Sequence, residues 1–131
     1  MSNYDYISTM KRPENVIVKK SERFADRIIK MCNYLKAKNT NEHDALRQVY
    51  RSGTSIGANI AESQYAQSRA DFLTKLTIAL KEANETRYWI DRLYAVEALK
   101  KEEYLSINDD CIEIIKLLTS ITKTVKEKLN G

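Results

Sequence analysis

Two groups of side chains in this 131-residue sequence have the types and spacing to act on a partner. Lys20, Arg23, Arg27 and Lys30 step by three and four, which places four cations on one face of a helix. Arg47 and Arg51, with the lysines at 116, 123, 126 and 128, extend the supply of positive charge. Such a row can neutralise phosphates, and binding of that kind weakens steeply with salt. Glu22 and Asp26 interleave with the cations, so the plainer reading is a solvated helix face. The second group is polar: Arg51, Ser55, Asn59 and Glu62, at spacings of four, four and three. Glu82 and Glu85 are placed to meet Arg51 across a helix–helix contact. Buried polar groups need hydrogen-bond partners, so this stripe reads as an interhelical network that sets register.

Other chemistries lack their parts. His43 is the single histidine, with no second His or nearby Cys to complete a zinc site. No Glu-x-x-His pair of the di-iron bundles occurs, nor a Gly-rich phosphate loop, nor a nucleophile elbow. Cys32 and Cys111 fall on apolar faces and read as buried free thiols. The sequence therefore predicts no enzyme, no metal and no cofactor.

The elements that hold these residues are helices. One proline and three glycines in the whole chain cannot supply the turns of an all-β fold. Apolar residues instead recur at three and four. The seams are Ile17, Ser21, Phe24, Ile28, Met31 and Leu35, then Leu46, Val49, Gly53, Ile56 and Ile60. Phe72, Leu76, Ala79, Ala83, Ile90, Leu93 and Val96 follow, then Ile107, Cys111, Ile114, Leu118, Ile121, Val125 and Leu129. These predict helices over about 16–38, 42–64, 69–98 and 101–129, joined by short links. That is an all-α, antiparallel up-down-up-down four-helix bundle in one domain, 15–131, after a flexible arm, 1–14. Pro13 disfavours a helix through Arg12. Asn41 is the expected N-cap of the second helix, and Ser68 with Asp71 forms a capping box for the third. In the second helix Gly53 and Gly57 each weaken the helix by about 1 kcal/mol relative to alanine. Lying four apart on one face, they predict a close approach by a neighbouring backbone.

The stretch Arg51 to Leu93, RSGTSIGANIAESQYAQSRADFLTKLTIALKEANETRYWIDRL, carries a resemblance. It resembles the four-helix-bundle family first noticed as proteins encoded in intervening sequences of bacterial large-subunit ribosomal RNA genes. The shared features are an Arg-Ser/Ala-x-x-Ser-Ile-x-x-Asn-Ile-Ala-Glu core, a polar loop, the acidic–aromatic pair Asp71-Phe72, and a helix with fixed alanines and glutamates. Ser63 stands where the family usually has glycine, and Gln64-Tyr65-Ala66-Gln67 lacks the usual loop arginine. The resemblance implies a ring-like homopentamer. It also implies kinship with accessory proteins of diversity-generating retroelements, which bind a reverse transcriptase and nucleic acid through a basic surface.

The net charge of +4 permits anionic partners without requiring them. No apolar run approaches the ~20 residues of a membrane span, and the first residues lack a signal-peptide apolar region; a cytoplasmic protein without a membrane partner is expected. Two functions fit. One is a non-enzymatic, homo-oligomeric scaffold that binds RNA or DNA through the basic stripe. The other is a protein-interaction adaptor without nucleic acid, suggested by tyrosines at 4, 6, 50, 65, 88, 94 and 104 and by Trp89, residue types enriched at interfaces.

Overall fold

The computed structural model describes residues 12–38 and 41–131. They form four helices: α1, Arg12–Ala37; α2, His43–Ser63; α3, Arg69–Ala95; and α4, Lys101–Asn130. No strand occurs among the described residues. Consecutive helices pack together, and α1 closes the ring against α4.

Pairs of touching residues show the direction of each helix. Along α1 and α2, Cys32 reaches the Leu46 carbonyl, Ile28 lies against Gly53, and Ser21 against Gly57. One number rises as the other falls, so the two helices are antiparallel. The same inversion links α2 to α3 (Arg51 to Glu85, Glu62 to Lys75) and α3 to α4 (Asp91 to Tyr104, Ala83 to Cys111). It also links α1 to α4 (Lys20 to Glu113, Arg27 to Asp110). The topology is up-down-up-down, as the short links require.

The predicted seams fill the core. Ile17, Phe24, Ile28, Leu35, Leu46, Ile56, Ile60, Leu76, Ile90, Leu93, Ile114 and Leu118 are the large side chains buried most completely. Leu99 and Ala66, in the links, plug the two ends and are buried without belonging to any periodic pattern.

The ends depart from expectation in four places. α1 begins at Arg12, not near residue 16. Pro13 lies in the first turn, where its missing N–H has no intrahelical acceptor to serve and its fixed φ suits the helix. Of the expected arm, 1–11 lies outside the described residues and 12–14 open α1. α2 is entered from Glu42, whose side chain makes no capping bond, rather than from Asn41.

α3 stops at Ala95, three residues early. The Glu97 N–H donates to the Tyr94 carbonyl at 3.0 Å and the Ala98 N–H to the Leu93 carbonyl at 2.9 Å. This is the Schellman closure, with Glu97 in the left-handed position at φ 65°. Val96 is consequently turned out to solvent rather than buried. Leu129, also expected in the seam, is exposed in the last turn of α4. The Ser68 cap of α3 is present: its Oγ accepts from the Asp71 N–H at 3.0 Å.

Candidate functional site

Three surfaces carry the residues with functional potential. The first lies across α2 and α3. Arg51 Nη1 donates to Glu82 at 3.1 Å, and its other terminal nitrogen pairs with Glu85. Glu85 also accepts from the Trp89 indole N–H at 3.1 Å. The Arg51 hydrogen bond, with help from the indole, lowers the Glu85 pKa against a smaller opposing effect of burial. Beneath this surface the buried hydroxyls of Ser52 and Thr86 lie 3.0 Å apart, each within hydrogen-bond distance of a carbonyl of its own helix, so that two O–H donors serve three contacts.

Of the rest of the predicted polar stripe, Glu62 also reaches across to α3, whereas Ser55 and Asn59 do not. Ser55 and Asn59 bond back to the carbonyls of Arg51 and Ser55 in their own helix. Glu62 pairs with Lys75 at 3.4 Å. Sequence spacing found Arg51, Glu82 and Glu85 but missed Ser52, Thr86 and Trp89. An indole four residues after Glu85, one helical turn, was the available signal.

The same face is rich in exposed aromatic surface. Ile78, Glu82, Glu85, Trp89 and Arg92 step along α3 by four and three, beside Tyr88. Tyr88 is 54% exposed, meets Trp89 edge to face, and lies under the Arg92 guanidinium at 5.8 Å. Apolar character is spread round α3 far more evenly than round α1, α2 or α4.

The second surface is the basic stripe of α1. The four cations share a face, but α4 takes up two of them. Lys20 pairs with Glu113 at 2.8 Å. Arg27 pairs with Asp110 at 2.5 Å and also donates to the Ser106 carbonyl and hydroxyl. Among the described residues Arg23 and Lys30 have no carboxylate partner. The stripe therefore works largely as an α1–α4 clamp. The signal for this lay in Asp110 and Glu113, but only the bundle's register reveals which cations they face.

The third surface is the mouth between α1 and α2. Asn33, Lys36, His43, Arg47 and Tyr50 border an open groove of about 420 Å³. Arg47, predicted as part of the basic surface, lies here rather than with the α1 stripe, and pairs with Asp44 at 2.6 Å.

The glycines and thiols serve packing. A Cβ at Gly53 would lie 2.8 Å from Ile28 Cγ1, and one at Gly57 would lie 3.3 Å from the Ser21 carbonyl oxygen. Burial pushes the Cys32 thiol up to about 11 and the Cys111 thiol up to about 12. Both stay protonated near neutrality and are poor nucleophiles. Among the described residues no cluster of metal-ligating side chains occurs and no helix is long and apolar enough to cross a membrane.

Comparison with known proteins adds to this geometry. The family model described as 23S rRNA-intervening sequence protein matches residues 13–120. A solved structure of a protein with unknown function from the S23 ribosomal protein family of Bacteroides thetaiotaomicron VPI-5482 is 52% identical, with a TM-score of 0.77. The match covers 85% of this chain and 98% of that one. No curated protein matches.

Proposed function

The chain belongs to the 23S rRNA-intervening sequence protein family, and from that premise we propose that it is a non-catalytic scaffold that assembles from identical copies. The outer face of α3 carries this reading. A helix whose inner side already fills the core still presents Tyr88, Ile78 and Arg92 outward, beside the partly buried Trp89. Tyr, Trp and Arg are the side chains that dominate interface energetics. Acids and arginines on the same face, Glu82, Glu85, Arg51 and Arg92, let the surface pair with a copy of itself or with an adjoining face. Five copies is the number implied by the family resemblance, and a cytoplasmic location accords with two free thiols.

The face can be tested without touching the core. Tyr88→Glu with Arg92→Glu places two acids on exposed positions of α3. Light scattering after size exclusion should then give a single 15.2 kDa chain with undiminished helical circular dichroism. Retention of the wild-type mass would remove α3 from the interface.

Nucleic acid is the proposed cargo. Arg23, Lys30 and Lys36, which have no carboxylate partner among the described residues, and the net charge of +4 support it, because a ring of copies multiplies a modest charge and raises avidity. A protein partner such as a reverse transcriptase is the alternative cargo. Absence of oligonucleotide binding at low salt would leave that adaptor reading.

A further inference from the structure

We propose that the groove between α1 and α2 binds single-stranded nucleic acid, with Lys36 and Arg47 holding phosphates and Tyr50 stacking on a base. This rests on the nucleic-acid reading above and moves it away from the α1 stripe.

The choice between the two basic surfaces follows from what each cation already holds. On the stripe, Arg23 and Lys30 have no carboxylate partner among the described residues but stand two helical turns apart, and a phosphate recruiting a second cation between them must displace Glu113 from Lys20, or Asp110 and two Ser106 bonds from Arg27. At the groove, Lys36 has no carboxylate partner among the described residues. Among the described residues Arg47 pairs only with Asp44, three residues away on its own helix, and the two side chains are 72% and 88% exposed. A pair so exposed is weak and yields readily to a doubly coordinated phosphate.

The other lining residues fit an unpaired strand. Tyr50 is 41% exposed and lines the groove. Stacking on aromatics tolerates any base, because every base has a π-face. Asn33 brings an amide able to pair with a base edge, and the His43 ring adds a donor. Duplex recognition usually inserts a helix or a ribbon into a groove of the nucleic acid. Here the candidate residues line a groove between two packed helices rather than one outward helix face.

The test uses full-length protein and fluorescein-labelled 12-nucleotide oligouridylate and oligothymidylate, followed by anisotropy from 50 to 300 mM salt. Two phosphate contacts predict a slope of log K against log salt of about −1.4. Lys36→Glu with Arg47→Glu should weaken binding at least tenfold, while Arg23→Glu with Lys30→Glu changes it less than threefold. Tyr50→Ala should cost about 5- to 150-fold, the range for one lost stack, and Tyr50→Phe should bind as wild type. All of these positions are at the surface, and each variant must keep the wild-type mass and helical signal. The reverse ranking of the two charge-reversal pairs overturns the groove while leaving nucleic-acid binding in place. Full affinity in Tyr50→Ala, or a duplex bound as tightly as the strand, overturns the single-strand assignment. No binding at 50 mM salt overturns both the groove and the cargo reading.

Discussion

Gly53→Ala should destabilise the protein, although alanine is the better helix former by about 1 kcal/mol. Gly53 is interior to α2 and buried. The added methyl would sit 2.8 Å from Ile28 Cγ1, 3.0 Å from Cγ2 and 3.3 Å from Cβ. Ile28 is fully buried, and a β-branched side chain in a helix has essentially one χ1 rotamer. Its Cβ moves only with the α1 backbone. Overpacking of this kind costs about 1–3 kcal/mol, so the net loss is about 1 kcal/mol, or roughly 4 °C in Tm for a chain of this size.

Gly57→Ala provides the internal control. Its closest contact is one carbonyl oxygen at 3.3 Å, so the helix gain and the strain nearly cancel, and stability should stay within about 0.5 kcal/mol of wild type. Ile28→Ala alone should lose about 2–5 kcal/mol, and about 1–2 kcal/mol less in the Gly53→Ala background, where the new methyl occupies part of the vacated space. Equilibrium urea unfolding at one fixed protein concentration measures the four variants against wild type. A gain of about 1 kcal/mol in Gly53→Ala, as at an open helix position, would refute the close approach of α1 and α2.

Further outcomes follow from the same packing. Glu97→Gly should stabilise by about 1 kcal/mol in urea unfolding, because Glu97 holds a left-handed φ of 65°; a loss would mean that the Schellman turn is absent. A double-mutant cycle on Arg51 and Glu85 should give a coupling of about 0.2–1 kcal/mol at pH 7, since both side chains are more than a third exposed. Glu85 has a lowered pKa, so that coupling is complete above about pH 5 and disappears as pH falls through and below the usual carboxylate range near 4.3; a coupling that grows with acid would contradict the pair. Cys32 and Cys111 should react with a thiol reagent at pH 8 only at the rate of unfolding, and fast labelling of either in the native protein would show that its helix face is open.

The interior of this fold was legible because each seam repeats at three and four with almost no glycine or proline to interrupt it. The same periodicity located Gly53 and Gly57, where the missing side chains break the pattern. Legibility failed where local rules allow two outcomes. Pro13 can bar a helix or begin one, and it begins one. The end of α3 has neither Gly nor Asn at the left-handed position, so Glu97 gave no sign of the turn. For the surface, spacing placed the cations of α1 on one face correctly. It could not show that Lys20 and Arg27 meet Glu113 and Asp110, because ion pairing between helices depends on register. Thr86 was hidden for the same reason, since its partner Ser52 stands on another helix.

Sedimentation equilibrium of the wild-type protein at micromolar concentration tests the scaffold reading most directly. A self-assembling bundle should sediment as a discrete multiple of the 15.2 kDa chain, and five copies would weigh about 76 kDa, five times that mass. A concentration-independent species of 15.2 kDa would mean that the aromatic face of α3 does not bind a second copy.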